Sequence, residues 1–278
     1  IGLTLVAFGT SAPELVITLF ASFNNPPNTD AIIGNVIGSN IANILLILGF
    51  SGLFFKLDFE KISIKEILFL GIATIYFSVA FFIIEVVNFI YISGFILLAI
   101  LFLNYLRTYP NTSENSNGLV FSKAIYLYLA LSFIGIFFGG KVFLSQALLI
   151  FTEVGLSEAV IGITVLAIGT SLPELITVLI SYFKRKGDIG IGNIVGSNIM
   201  NILFVFMPSL IIVHLRNFEY HLSSINDANI LNNDESIIIL VFATLIFIAL
   251  SFIKIKLSKW MAIILLFCYF SYIFRILL

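Results

Sequence analysis

The sequence predicts an all-α, polytopic membrane protein assembled from two inverted repeats. Three observations support this fold class: a strongly apolar composition, about nine apolar segments of membrane-spanning length, and a polar motif that occurs twice. Of the 278 residues, 60% are hydrophobic and only 10% are charged, and the mean hydropathy is +1.14. Because a soluble domain of this length could not cover so much apolar surface, we expect the lipid bilayer to be its solvent.

A helix needs about 20 predominantly apolar residues to cross the hydrocarbon core of a bilayer. On this rule the chain divides into nine predicted spans. These are residues 1–23, 31–55, 66–85, 87–106, 122–150, 159–183, 189–213, 236–253 and 259–278. Only the loop 107–121 and the polar stretch 214–235 are long connections, and neither has room for a second domain.

Positive charge is distributed unequally between alternate connections. The connections on one side of the membrane contain eleven lysine and arginine residues, whereas those on the other side contain only Arg216 and, near the C-terminus, Arg275. Lysine and arginine accumulate in cytoplasmic loops, so the richer side, including loop 107–121, is predicted to be cytoplasmic and the C-terminus external. The richer side carries Lys56, Lys61, Lys65, Arg107, Lys123, Lys184, Arg185, Lys186, Lys254, Lys256 and Lys259.

Two pairs of spans are copies of each other. Residues 1–18 match 161–178 at ten of eighteen positions, and 34–45 match 192–203 at nine of twelve. The connection inside the first pair has no basic residue, whereas the connection inside the second has three. The two copies are therefore predicted to lie in opposite orientations, a pattern typical of secondary transporters.

The repeat also predicts the domain organisation. Residues 1–106 would form the first inverted repeat, 107–121 a cytoplasmic loop, and 122–278 the second repeat. The apolar span 122–150 precedes the second copy, and no equivalent span precedes the first. By symmetry we expect ten helices in the intact protein, with the first one missing here. Ile1, which is not an initiator methionine, fits this expectation.

The motif "GTSAPEL", residues 9–15, places a proline and a glutamate inside a predicted span. Pro13 has no N–H to donate and crowds the carbonyl of Gly9, so the helix should open there. Opened backbone is tolerated at membrane depth only where it lines a cavity or meets a ligand. Thr10 and Ser11 lie one turn from Glu14 and share its face. The second copy, "GTSLPEL", repeats this set with Thr170, Ser171, Pro173 and Glu174.

The partner helix of each copy adds amides and hydroxyls at four-residue spacing. Packing the two copies face to face would bring Glu14 and Glu174 together near the membrane midplane. The paired glycines Gly34 and Gly38, repeated as Gly192 and Gly196, would allow close helix approach. The amides and hydroxyls at this four-residue spacing form one polar stripe on each partner helix, which consists of Asn35, Ser39 and Asn43 in the first copy and of Asn193, Ser197 and Asn201 in the second.

These groups are all oxygen ligands, which suit hard cations such as Ca²⁺ and Na⁺ rather than zinc or copper. Some of these residues also have a purely structural interpretation. A GxxxG pair is common in plain helix packing, and a single Ser or Thr often bonds to its own helix backbone. An intramembrane glutamate is different, because its burial is costly enough to indicate function by default.

The motifs "GTSAPE" with "GSNIANIL", and "GTSLPE" with "GSNIMNIL", resemble the two α-repeats of sodium/calcium exchangers in the calcium/cation antiporter superfamily. The resemblance is most specific over about 1–50 and 159–207. It implies that Glu14 and Glu174 are acidic ligands shared by Ca²⁺ and Na⁺. It further implies oxygen ligands from Thr10, Thr170, Ser11, Ser171, Ser39, Ser197, Asn43 and Asn201, and from the backbone carbonyls of Ala7 and Ala167.

Two departures from related patterns narrow the implied function. Potassium-dependent exchangers and some prokaryotic members carry an aspartate in place of Asn201, so the asparagine here argues against K⁺ co-transport. Cation/proton members have a further glutamate in the second motif, which Ser39 and Ser197 do not match.

The resulting hypothesis is an antiporter in which one Ca²⁺, or several Na⁺, neutralises the two glutamates in turn. A Ca²⁺/H⁺ antiporter that uses the same glutamates is the nearest alternative. A passive cation channel and an intramembrane hydrolase are further alternatives, but neither copy brings a recognisable nucleophile, so we expect no enzyme.

The hypothesis also sets expectations for partners and location. Ca²⁺ and Na⁺ would be transported substrates rather than cofactors, and we expect no other cofactor. A net charge of −1 gives no indication of a nucleic-acid partner, and the single Cys268 excludes an intramolecular disulfide. We expect a multi-pass protein of the plasma (inner) membrane that functions as a monomer.

Overall fold

The computed structural model describes residues 6–60, 62–83, 89–108, 123–216 and 233–277. We number its helices α1 to α9 in chain order. Helix α1 is interrupted and consists of Ala7–Thr10 and Ala12–Phe23. The others are α2 (Thr29–Phe54), α3 (Ile64–Ile83), α4 (Phe89–Thr108), α5 (Lys123–Glu153), α6 (Glu158–Phe183), α7 (Gly187–Leu215), α8 (Asn233–Ile253) and α9 (Lys259–Leu277).

The predicted all-α class is confirmed. Within the described ranges, the sole β-type pairing is an isolated bridge between Asp58 and Lys256. Most of the predicted loop 107–121 and of the stretch 214–235 falls outside those ranges, and the numbers of nine and ten spans stay predictions. In the part that is described, seven helical stretches are long and apolar enough to cross a membrane: Thr29–Phe54, Phe89–Thr108, Ile134–Glu153, Glu158–Phe183, Gly187–Leu215, Glu235–Ile253 and Lys259–Leu277.

Local capping explains where the observed helix boundaries differ from the predicted spans. Helix α2 begins at Thr29 because the Asn28 side chain accepts a hydrogen bond from the N–H of Ala31 at 2.9 Å. Helix α5 continues to Glu153, three residues past the predicted end. It stops before Gly155, whose φ of 93° is readily adopted only by glycine.

Helices α1 and α6 break at the same place in each repeat. Ser11 has φ −82° and ψ 6°, and Ser171 has φ −82° and ψ 1°, both outside the helical region. Each break directly precedes a segment with proline in its first turn, where the missing proline N–H leaves the carbonyl four residues earlier without its helical donor. The opening predicted from Pro13 and Pro173 is therefore confirmed.

The core helices also contain wider turns. The π-helical segments are Ala42–Ile47 in α2, Gly162–Leu166 in α6 and Asn201–Phe206 in α7. The segments in α2 and α7 occupy nearly equivalent positions of the two repeats, beginning at or one residue before Asn43 and Asn201. Since π-turns hold more residues than α-turns, side chains that follow them leave the stripe predicted for a regular helix.

The centre of the molecule is built from α1, α2, α6 and α7. Gly34 allows α2 to pack closely on α6, since a Cβ there would lie 2.8 Å from the carbonyl oxygen of Ala159. A Cβ on Gly38 would collide with the carbonyl oxygen of Ile163. The close approach predicted from these two glycines is confirmed, and the partner is the helix of the other repeat.

The remaining helices surround this centre in matching positions. Helix α3 packs against α8 and α7, while α8 packs against α3 and α2. Helix α4 contacts the end of α7, and α9 contacts the end of α2. Helix α5 lies along α1 and reaches α6. Outward faces of these helices carry exposed leucine, isoleucine and phenylalanine, which suits contact with lipid.

Contacts between connections agree with the predicted grouping of the connections into two sides. On the lysine-rich side, the N–H of Leu257 donates to the carbonyl of Leu57 at 2.9 Å, and the Lys256 Nζ lies 3.4 Å from a carboxylate oxygen of Asp58. On the other side, Arg216 donates to the carbonyl of Ser22 at 2.6 Å and to that of Asn24 at 2.9 Å. Connections that were assigned to one side therefore contact each other.

Candidate ion-binding site

The two intramembrane glutamates meet at the centre of the four-helix core. Both Glu14 and Glu174 have 0% of their surface exposed. Each occupies the first turn after the break in its helix, so the N-terminal end of that segment faces the carboxylate. Ser11, which lies one turn before Glu14 in the chain, donates a hydrogen bond to Oε1 of Glu174 at 3.3 Å, so the two glutamate-bearing turns are in contact. The predicted juxtaposition is therefore present in the structure.

The threonine before each break reaches the partner helix of the opposite repeat. Thr10 of α1 lies 3.2 Å from the Asn193 Oδ1 and 3.2 Å from the Ser197 Oγ, both on α7. Both threonines also bond to their own helix, as Thr10 Oγ1 does to the Ala7 carbonyl at 3.2 Å. Each threonine hydroxyl therefore contacts polar residues of the candidate site and also bonds to the backbone of its own helix.

The second repeat makes the matching contacts. Thr170 of α6 donates to the Asn35 Oδ1 at 3.4 Å, and its hydroxyl lies 3.3 Å from the Ser39 Oγ, both on α2. Thr170 also donates to the carbonyl of Leu166 at 2.9 Å. Predicted site residues of both repeats are thereby joined across the interface between them.

The serines at the breaks are not equivalent. Ser11 donates to Oε1 of Glu174 at 3.3 Å, across the repeat interface. The hydroxyl of Ser171, which is 3% exposed, makes no hydrogen bond within the described part of the chain. The site is therefore pseudo-symmetric in sequence but asymmetric in its hydrogen bonds.

Several buried oxygen atoms of the cluster have no hydrogen-bond donor within the described ranges. A buried polar atom without a partner costs about 1–3 kcal/mol, and a buried carboxylate more. Among the described residues, no basic side chain forms an ion pair with either glutamate. In the described part of the chain, the oxygen atoms of predicted ligands without a hydrogen bond are both carboxylate oxygens of Glu14, Oε2 of Glu174, the Oδ1 atoms of Asn43 and Asn201, and the Oγ of Ser171, and the amide nitrogens of Asn35, Asn193 and Asn201 are also without one.

This donor set fits a hard cation. It offers two carboxylates, amide oxygens and hydroxyls, which are the ligands that Ca²⁺ prefers. No group of three or more His, Cys, Asp or Glu side chains that could hold a metal occurs in the ranges that the structure describes. In the described ranges two glutamates supply the charge of this arrangement, and its other groups offer oxygen atoms rather than the sulfur and imidazole nitrogen typical of zinc and copper sites.

The carbonyls that the resemblance implied as ligands already accept hydrogen bonds. The carbonyl of Ala7 accepts from the Thr10 hydroxyl and, at 2.9 Å, from the N–H of Ser11. The carbonyl of Ala167 accepts from the Thr170 hydroxyl at 3.3 Å and from the N–H of Ser171 at 3.1 Å. Coordination of an ion by either carbonyl would compete with the hydroxyl contact.

One further asparagine side chain, that of Asn198, belongs to the cluster and was not singled out from the sequence, while Asn40 takes part through its backbone carbonyl. Asn43 donates through Nδ2 to the Oδ1 of Asn198 at 2.9 Å. Asn198 in turn donates to the backbone carbonyl of Asn40 at 3.4 Å. The repetition of "GSN" in both motifs could have identified Asn40 and Asn198 from the sequence, but the four-residue spacing leads to Asn43 and Asn201 instead. In the structure, Asn43 is the second residue of the π-segment Ala42–Ile47.

Comparisons with known proteins agree with this architecture. The family described as "Sodium/calcium exchanger protein" matches residues 1–108 and 124–278. An uncharacterized membrane protein of Methanocaldococcus jannaschii is 35% identical over 224 residues, covering 77% of this chain and 71% of the relative. The sodium/calcium exchanger MaX1 of Methanosarcina acetivorans is 29% identical, covering 98% and 87%. A solved structure of the sodium-calcium exchanger NCX_Mj superposes with a TM-score of 0.70 at 27% identity, covering 98% and 84%.

Proposed function

The chain belongs to the sodium/calcium exchanger family of membrane antiporters, and we propose that it exchanges Na⁺ for Ca²⁺ at the buried site between α1, α2, α6 and α7. The proposed ligands are the twelve residues predicted from the sequence. The observation that carries the proposal is the buried pair Glu14 and Glu174, surrounded by oxygen atoms that have no hydrogen-bond donor among the described residues.

Charge neutralisation provides the exchange mechanism. Two ionised glutamates carry a charge of about −2, which one Ca²⁺ or two or more Na⁺ can compensate. Because the same carboxylates serve both ions, occupancy by one excludes the other. Opening the loaded site to alternate sides of the membrane then converts a sodium gradient into movement of Ca²⁺.

The hydroxyl contacts supply the link between the repeats. Thr10 and Thr170 each bridge to the helix of the opposite repeat through Ser197 and Ser39. Cation binding would draw these hydroxyl oxygens toward the ion and away from their present partners. We infer that ion occupancy changes how the first repeat, 1–106, contacts the second, 122–278.

The molecular setting of the proposal is a single chain in the plasma (inner) membrane. Every proposed ligand comes from one copy, which supports function as a monomer. The lysine-rich connections, together with loop 107–121, would face the cytoplasm.

Flux measurements in proteoliposomes test the counter-ion. We expect vesicles loaded with Na⁺ to take up ⁴⁵Ca²⁺ when the external Na⁺ is removed, and we expect vesicles without Na⁺ to take up none. A pH gradient in Na⁺-free vesicles is the parallel arm. Uptake driven by that gradient alone would show that H⁺, rather than Na⁺, is the exchanged ion. Channel-like currents that do not depend on a counter-ion would show that the protein is not an exchanger.

A further inference from the structure

A chain of amide hydrogen bonds joins α2 to α7 beside the glutamates. Asn43 Nδ2 donates to Asn198 Oδ1 at 2.9 Å, and Asn198 Nδ2 donates to the backbone carbonyl oxygen of Asn40 at 3.4 Å. All three residues are buried, with at most 1% of their surface exposed. Water therefore does not compete for these hydrogen bonds.

Hydrogen-bond chemistry sets the direction of this chain. A backbone carbonyl can only accept, so Asn198 turns its NH₂ group toward Asn40. Its amide oxygen then faces Asn43, which must present its own NH₂ group in return. The Oδ1 of Asn43 consequently points away from Asn198, and within the described residues it has no donor.

The equivalent positions of the other repeat lack this chain. Asn40, the counterpart of Asn198, donates to the carbonyl of Val36 in its own helix at 2.7 Å. Asn201, the counterpart of Asn43, has neither amide atom hydrogen-bonded among the residues described here. The orientation of the Asn43 amide is therefore set by a neighbour, whereas that of Asn201 is not.

We propose that Asn198 is a positioning residue that holds the Asn43 amide with its oxygen presented to the transported cation, a hydrogen-bonded restraint that the described residues do not give to the Asn201 amide. This inference rests on the proposed function, in which Asn43 is an ion ligand. An amide oxygen is a good ligand for Ca²⁺, but its NH₂ group repels a cation. A neighbour that prevents the wrong orientation therefore contributes to affinity without contacting the ion.

Asn198→Ala and Asn40→Ala form a matched pair for testing this role. The two substitutions remove the same side chain from equivalent positions of the repeats. Sodium-driven ⁴⁵Ca²⁺ uptake is measured in proteoliposomes as a function of Ca²⁺ concentration. We expect Asn198→Ala to raise the KM for Ca²⁺ by about tenfold, in the range found when groups that orient metal ligands are removed. Asn40→Ala should raise it less, because the Asn40 side chain bonds to the Val36 carbonyl of its own helix.

A double-mutant cycle separates positioning from general support of the fold. If Asn198 acts by orienting Asn43, then Asn198→Ala has no further effect on KM once Asn43→Ala is present. Additive effects of the two substitutions would overturn the inference. Equal increases in KM for Asn198→Ala and Asn40→Ala would overturn it as well.

Two isosteric substitutions keep the test decisive if Asn198→Ala does not fold. Asn43→Asp replaces the donor NH₂ with an oxygen that faces the Asn198 Oδ1, so the hydrogen-bond chain breaks. Asn201→Asp adds the same charge at a position where no such partner is disturbed. We expect Asn43→Asp to reduce Ca²⁺ affinity relative to Asn201→Asp, measured by the Ca²⁺-dependent shift in thermal unfolding. Equal affinities, or the opposite order, would contradict the inference.

Failure of this inference differs from failure of the proposed function. If Na⁺-driven Ca²⁺ uptake is absent, or survives Glu14→Gln, the proposed exchange site is wrong. If uptake is present and depends on Glu14, but Asn198 and Asn40 behave alike, only the positioning role is wrong.

Discussion

Ser11 donates a hydrogen bond to the carboxylate of Glu174 across the repeat interface at 3.3 Å, whereas its counterpart Ser171 makes no hydrogen bond in the described structure. The same imbalance appears in the amides, because Asn198 bonds to Asn43 but Asn40 does not bond to Asn201. Two nearly identical motifs therefore occupy different local environments. In a pair of inverted repeats, this difference distinguishes one side of the binding site from the other.

The first prediction concerns the carboxylates. Glu14→Gln and Glu174→Gln should each reduce Na⁺-driven ⁴⁵Ca²⁺ uptake to the level of empty vesicles. Each change removes half of the negative charge that the cation neutralises in a site excluded from water. Glu153→Gln is the control, because Glu153 lies exposed at the end of α5. Wild-type flux in either core variant would refute the site assignment.

A second prediction follows from the two serines. Ser11→Ala removes a hydrogen bond to a buried carboxylate, and such bonds contribute about 1.5–3 kcal/mol. Ser171→Ala removes a hydroxyl that has no hydrogen-bond partner among the residues that the structure describes, so no such bond is lost. In detergent without Ca²⁺ or Na⁺, the unfolding midpoint of Ser11→Ala should fall below that of Ser171→Ala. The reverse order would show that the contact does not contribute to stability.

Ion binding should stabilise the folded protein. Oxygen atoms that lack a donor would gain a partner, and the folded state would gain about 2.7 kcal/mol when the ion is at 100 times its dissociation constant. We expect Ca²⁺ to raise the midpoint of thermal unfolding of the purified protein. The shift should vanish in Glu14→Gln and persist in Glu153→Gln. A shift of equal size in all three proteins would indicate binding elsewhere.

The close approach of α2 and α6 supports a fourth prediction. A methyl group on Gly34 would lie 2.8 Å from the carbonyl oxygen of Ala159, which belongs to rigid helix backbone. Gly34→Ala should therefore destabilise the protein by about 1–3 kcal/mol, as other overpacked cores do. Gly135→Ala is the control, since a Cβ there meets no atom of the described structure within 4 Å. The unfolding midpoint of Gly34→Ala should therefore be lower than that of Gly135→Ala, and equal midpoints would exclude close packing at Gly34.

Much of the fold could be predicted from the sequence because the bilayer imposes a simple rule. A span must be apolar over about 20 residues, so hydropathy locates helices such as α4 and α9 to within a few residues. Breaks at Ser11 and Ser171 followed from proline, which removes a backbone donor wherever it occurs. Boundaries at Asn28 and Gly155 were displaced, because caps depend on single hydrogen bonds that hydropathy does not register.

The candidate site was predicted less completely. The four-residue stripe Asn35, Ser39 and Asn43 assumes a regular α-helix, but α2 widens into a π-segment beginning at Ala42. Asn43 lies at the start of that segment and bonds to Asn198 of α7, a residue that the stripe did not include. A helical repeat read from sequence cannot register a π-turn, whose cost is offset by contacts between distant segments.

The sequence by itself determined that this chain is a membrane protein with a duplicated, acidic, oxygen-rich motif, because composition and periodicity depend on the chain alone. It also identified Glu14 and Glu174 as the principal candidates, since a carboxylate inside a membrane span is costly to bury and therefore indicates a functional site. Only the tertiary structure decided which hydroxyl and amide partners those motifs acquire across the repeat interface. Those partners are more than 100 residues apart in the chain, and short-range hydrogen bonds between them depend on how the packed helices are placed.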